Sequence, residues 1–139
     1  MKMTAKKLLT LFLIFAVVLV GCGRRDSETA TQPHRIVTGV SVSFRNGPME
    51  MHRQYTTSAK MRAILNYLRW IDPYGTPAED PENVAGSEYH IVLHFSDDSQ
   101  KVYRQKADRF MQVSGAPWKN INPENAMTLG KILGQMESD

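Results

Sequence analysis

The sequence predicts an α+β domain: an antiparallel sheet of about five to six strands arranged as hairpins, with two helices packed on one face. Three observations lead there. Apolar residues alternate with period two over 36–44 and 89–95, they recur at spacings of three and four over 61–71 and 126–136, and turn-forming residues separate these runs. The order is strand, strand, helix, then three or four strands, then helix. Strands that follow one another as hairpins pair antiparallel, whereas parallel sheets interleave each strand with a helix.

The first strand places Ile36, Thr38, Val40, Val42 and Phe44 on one face and Val37, Gly39, Ser41 and Ser43 on the other. Asn46-Gly47 then signals a two-residue type I′ turn, because both loop positions of that turn need positive φ. With those two as the loop, Arg45 faces Pro48, Phe44 faces Met49 and Val42 faces Met51. Met49, Met51 and Tyr55 then point to the core, and Glu50, His52 and Gln54 to water. Thr57 or Ser58 caps an amphipathic helix striped by Met61, Ile64, Leu65, Leu68 and Ile71. Asp72-Pro73 ends it, since the residue before proline is pushed out of the helical region.

Residues 72–87 hold Pro73, Gly75, Pro77, Pro81 and Gly86 among Glu79, Asp80 and Glu82. This loop is longer than compact domains usually use, and such loops are often functional. The next strand alternates Tyr89, Ile91, Leu93 and Phe95 with His90, Val92 and His94. Asp97-Asp98-Ser99 turns the chain into a partner over 101–106, where loop length leaves open whether Val102 or Tyr103 faces inward. A short hairpin joins 109–113 to 118–121. Asn122 caps a last helix with Pro123 at its first position, striped by Ala126, Leu129, Leu133 and Met136. Phe44, Leu65, Leu68, Ile91, Leu93 and Leu133 are expected in one core.

Ahead of this domain, three lysines within the first seven residues precede an apolar run from Leu8 to Val20 and then Gly21-Cys22. As a helix that run is about 20 Å long, short of the roughly 30 Å hydrocarbon core, so it is the apolar part of a signal peptide and not a membrane span. Leu19, Val20, Gly21 and Cys22 resemble the lipobox of bacterial lipoproteins. The resemblance implies cleavage before Cys22 by signal peptidase II, a diacylglycerol on its sulfur, and attachment to the outer side of the cell membrane. More loosely, the whole chain looks like the small single-domain lipoproteins of Gram-positive bacteria. The expected organisation is a signal peptide over 1–21, a lipidated Cys22 with a polar tether over 22–35, and one domain over 36–139.

Cleavage removes three of the 17 basic residues and none of the 14 acidic ones, so the mature chain is formally neutral. The net charge of +3 belongs to the targeting segment, and a nucleic-acid partner is not expected. Cys22 is the sole cysteine, which excludes an internal disulfide and, once acylated, a thiol nucleophile or a thiolate-bound metal.

His90 and His94 on a helix would meet at one metal, but four residues of strand separate them by about 13 Å. They are expected as exposed strand histidines, with no metal and no cofactor. Glu79, Asp80, Glu82 and Glu88 offer calcium-type oxygens without the spaced ladder of an EF-hand loop. Arg104, Lys106 and Arg109 offer a polyanion site or, more simply, the charges of a protected edge strand. Tyr67, Trp70, Tyr74 and Trp118 offer an aromatic sugar platform or ordinary packing. No G-x-S-x-G, H-E-x-x-H, Ser-x-x-Lys or glycine-rich phosphate motif is present.

The sequence therefore points to a membrane-anchored, non-catalytic interaction module that meets an envelope protein or cell-wall ligand. The candidate surface comprises Tyr74, Glu79, Asp80, Glu82, His90 and His94. A small cell-envelope hydrolase or wall-modifying enzyme, and an inhibitor or immunity-type protein, are the alternatives. Shortening 76–85 to a few glycines is expected to preserve the fold.

Overall fold

The computed structural model describes residues 35–136, with side chains through residue 134. From Arg35 onward the chain forms one compact unit. The signal segment, Leu19, Val20, Gly21 and Cys22 of the lipobox, the tether up to residue 34 and the side chain of Met136 lie outside the described residues.

Six strands, β1 (Val37–Asn46), β2 (Met49–Tyr55), β3 (Glu88–Phe95), β4 (Gln100–Lys106), β5 (Phe110–Val113) and β6 (Lys119–Asn120), form one antiparallel sheet in the order β2-β1-β3-β4-β5-β6. Helices α1 (Ser58–Trp70) and α2 (Pro123–Met136) complete the α+β architecture. Both pack on the same face of the sheet. Val40, Val42, Ile91, Leu93 and Met111 meet Ile64, Tyr67 and Ile71 from α1 and its end, and Ala126, Leu129 and Leu133 from α2.

The first hairpin differs from expectation for a chemical reason. The loop is Gly47-Pro48, flanked by the pair Asn46 and Met49, with Phe44 opposite Met51 and Val42 opposite Arg53. An Asn46-Gly47 loop would require the residue after it to donate its N–H across the turn, and Pro48 has none. Proline also cannot take the positive φ that a type I′ turn needs at its second position, so only Gly47 is left-handed, at φ 57°. The correction moves every partner by two residues. An even shift leaves each side chain on its expected face. Tyr55 is buried, as expected, but Met49 lies beside the turn beyond the reach of the helices and is 58% exposed.

α1 begins after Thr57, whose carbonyl accepts from Met61 N at 3.0 Å while its hydroxyl makes no cap. The buried line of α1 is Ile64 and Tyr67, continued by Ile71, with Met61, Leu65 and Leu68 half-buried beside it. Asn122 caps α2 as expected: its Oδ1 accepts from the backbone N–H groups of Glu124 at 2.9 Å and Asn125 at 3.2 Å. Ile91, Leu93 and Leu133 sit in the core. Phe44 does not; it is half-buried at the sheet margin, its ring 4.6 Å from that of Tyr89.

The open register question resolves at β4, where Tyr103 pairs with Ile91 and so faces the helices, and Val102 pairs with Val92 on the other side. Two places later on the inner face stands Gln105, with no exposed surface. Its amide is fully engaged: Oε1 accepts from the Tyr67 hydroxyl, and Nε2 donates to the Ala126 carbonyl and to Asp108 Oδ1, each at 3.2 Å. This bond set ties α1, β4 and the start of α2 together. Burial pushes the Tyr67 phenol far above its ordinary value, with Asp108 adding to the shift and Gln105 opposing it.

Candidate functional site

With both helices on one face, the other face of the sheet is left to polar side chains, and the register sets them out in rows. Across β2, β1, β3 and β4 one row reads Glu50, Arg45, Glu88, Lys106, and the next reads His52, Ser43, His90, Arg104, extended on β5 by Gln112. A third reads Gln54, Ser41, Val92, Val102.

Arg104 organises this face. Its guanidinium has five N–H donors, and each has an acceptor. Nε donates to Glu88 Oε1 at 3.0 Å; Nη1 donates to Glu82 Oε1 at 2.6 Å and Gln112 Oε1 at 3.2 Å. Nη2 donates to Glu82 Oε2 at 3.1 Å and Glu88 Oε1 at 2.7 Å. The Trp118 ring stacks 4.9 Å from the guanidinium carbon, and its indole Nε1 donates to Glu82 Oε1 at 3.3 Å. A planar fork suits two carboxylates and an aromatic face at once, which a lysine ammonium does not.

Burial works to raise the Glu88 carboxyl, but hydrogen bonds from Arg104 and from His90, whose Nε2 donates to Glu88 Oε1 at 2.9 Å, outweigh it and hold the group below its ordinary value. Glu82 is held low chiefly by its Arg104 hydrogen bonds.

These contacts explain residues 72–87. The segment is a strap over the β4 and β5 end of the outer face. Asp80 opens a single 3₁₀ turn (Pro81–Asn83) by accepting from Glu82 N at 3.0 Å, and Pro81 is buried. Glu79 pairs with Arg109, and the Glu82 carbonyl accepts from Lys106 Nζ at 3.1 Å. At one end of the strap Tyr74 exchanges two backbone hydrogen bonds of 2.9 Å with Asn120. At the other, Gly86 at φ 142° passes so close that a Cβ would stand 3.0 Å from that of Ala107. Phe110, on the outer face by its pairing with Lys106, is buried at this end.

Of the groups that the sequence offered separately as calcium and polyanion sites, Glu82 and Glu88 pair with Arg104 and Glu79 with Arg109, while Asp80 caps the 3₁₀ turn and Lys106 donates to a backbone carbonyl. Among the described residues no group of three or more His, Cys, Asp or Glu is placed to hold a metal. Nor is β4 an edge strand, since β3 and β5 flank it; the edges are β2 and β6. The four aromatics form no common platform: Tyr67 is in the core, Trp118 stacks on Arg104 on the opposite face, and Trp70 and Tyr74 are exposed.

Of the candidate surface, Glu82 and His90 converge on the Arg104 and Glu88 cluster. Asp80 and Glu79 belong to the strap that joins it. Tyr74 lies apart, and so does His94, two places along β3 beyond Val92. His94 Nδ1 accepts from Gln100 Nε2 at 3.3 Å, which leaves the proton on Nε2, 2.8 Å from Ser41 Oγ. In this arrangement the imidazole donates to Ser41. Ser43 and His52 make a second such contact, Oγ to Nδ1 at 2.7 Å. Neither imidazole has a carboxylate behind it among the described residues. Sequence reasoning passed over Arg45, Ser41, Ser43 and Gln112, although period-two alternation already set both serines on the polar face. No family model, no curated protein and no solved structure matches the chain.

Proposed function

We propose that this is a lipid-anchored lipoprotein of the cell envelope whose folded unit acts as a non-catalytic binding module. Leu19, Val20, Gly21 and Cys22 support the anchor. One observation carries the binding role: among the described residues the strap covers the β4 and β5 end of the outer face and leaves the β2, β1 and β3 part uncovered, where Ser41 and His94, Ser43 and His52, and His90 and Glu88 already hold one another. Groups fixed before a partner arrives lose less freedom on binding. A hydrolase would draw on the Ser41 and His94 contact, but the proton on His94 Nε2 points that pair toward structure rather than nucleophilic attack.

Recovery of a stoichiometric envelope partner from detergent-solubilised membranes, and its loss when His90 and Arg45 are both replaced by Ser, is the expected result. Full recovery with that double variant would place the interface elsewhere.

A further inference from the structure

We propose that the open end of the outer face is a site for a small zwitterion, an amino acid or dipeptide whose ammonium meets Glu88 and Glu50 and whose carboxylate meets Arg45. This deepens the binding role proposed above and rests on it. A depression of about 280 Å³ lies there, lined by Ser43, Arg45, Glu50, Glu88, His90 and Val92. It is smaller than the roughly 300–1,000 Å³ of drug-sized pockets, which suits an occupant of one or two residues.

The chemistry of the lining is asymmetric. Glu88 is only 8% exposed, and its two oxygens are used unequally. Oε1 accepts from Arg104 and His90, whereas Oε2 accepts no hydrogen bond among the described residues and has an ionic contact with Arg45 Nη2 at 3.8 Å, outside hydrogen-bond range. Every fully buried side-chain nitrogen or oxygen among the described residues has a partner, so Oε2 opens toward solvent and the depression. The side chain of Glu50, two strands away in the same row, makes no hydrogen bond or ion pair among the described residues. Arg45 stands between them in register, with a side chain 64% exposed and one long ionic contact.

Carboxylate oxygens without hydrogen-bond donors on either side of an exposed guanidinium that makes only one long ionic contact match a ligand that carries both charges a few ångströms apart. A primary ammonium brings three donors to Glu88 Oε2 and Glu50, and the planar guanidinium accepts a carboxylate in two-point fashion. A purely anionic ligand meets repulsion from two carboxylates, and a purely cationic one leaves Arg45 unpaired.

The test is calorimetric titration of the full chain in detergent with alanyl-alanine. N-acetyl-alanyl-alanine, which lacks the ammonium, and alanyl-alanine amide, which lacks the carboxylate, are the comparators. Saturable binding of the dipeptide, weakened at least about tenfold by either blocking group and by Glu50→Gln or Arg45→Met, is expected. Both substituted side chains are exposed, so the variants fold. No saturable heat up to about 10 mM, or equal binding of the acetylated dipeptide, overturns the assignment. If the dipeptide fails while the Arg45 and His90 double variant still loses its envelope partner, the ligand class is wrong and the interface stands. If the partner is retained, the interface itself is wrong.

Discussion

Arg104 and Glu88 stand opposite each other's neighbours on β4 and β3, and two guanidinium nitrogens, at 3.0 and 2.7 Å, share one carboxylate oxygen. The pair is the point where the sheet, the strap and the open half of the outer face meet. Replacing Arg104 by Met leaves Glu88 nearly buried with its principal partner gone, and such changes cost about 3–5 kcal/mol. Urea unfolding should show a loss of that order, with Arg104→Lys recovering less than half, because an ammonium cannot reach Glu82, Glu88 and Gln112 together.

The same pair sets an acid limit. The folded Glu88 carboxyl lies below its ordinary value of 4.5, so its contribution to stability is fully present above that value and is lost as pH falls through the lower, folded one. Glu82 acts in the same direction. Melting temperature should therefore fall with pH below the ordinary carboxylate range, and the fall should be shallower in Glu88→Gln. A variant and wild type with superimposable profiles would contradict this.

In the core, Tyr67→Phe removes the hydroxyl that Gln105 Oε1 accepts from and leaves that oxygen buried without its donor. A cost of about 1–3 kcal/mol is expected in denaturant unfolding. Ile64→Ala should cost about 2–5 kcal/mol, and Leu65→Ala less, since Ile64 is fully buried and Leu65 half-exposed at the edge of the same helix.

Shortening 76–85 to glycines now carries the opposite expectation from the one its sequence suggests. Loop closure entropy alone changes little with length. Removing Glu79, Pro81 and Glu82, however, releases Arg109 and Arg104 and uncovers Phe110. The shortened chain should melt several degrees lower, on the order of 4–8 °C per kcal/mol lost for a domain of this size. An unchanged melting temperature would mean that the strap holds nothing.

How much of this was legible beforehand depends on the range of the interaction. Alternation over 36–44 and 89–95 and the stripe from Met61 to Ile71 are local signals, and they place β1, β3 and α1. The alternation also sets Ile36 and Thr38 inward, but a register shift between Val37 and Gly39 turns both outward, leaving Ile36 62% exposed and Val37 against the core. The Asn46-Gly47 signal alone sets the hairpin loop one residue early, because the missing N–H of Pro48 forbids that turn and moves the loop to Gly47-Pro48. Arg104 lies 16 and 22 positions from Glu88 and Glu82, and nothing in a single chain pairs charges across such distances. Opposite charges therefore looked like two surfaces where there is one cluster. Between a platform and ordinary packing, the sequence leaves Tyr67 open, because the partner that holds its hydroxyl in the core, Gln105, is polar and 38 residues away.

For the anchor, Cys22→Ser should leave an unprocessed precursor in the membrane fraction, without the added mass of a diacylglycerol. A wild-type chain found unmodified and cleaved at another position would remove the lipoprotein reading.

Most direct is site-specific photo-crosslinking in intact cells, with the reactive residue at Gln54 on the open outer face or at Met127, exposed on α2. A discrete partner band from Gln54 and none from Met127 is the expected outcome. A partner captured from Met127 and not from Gln54 would show that the helical face, and not the open sheet, is where this protein binds.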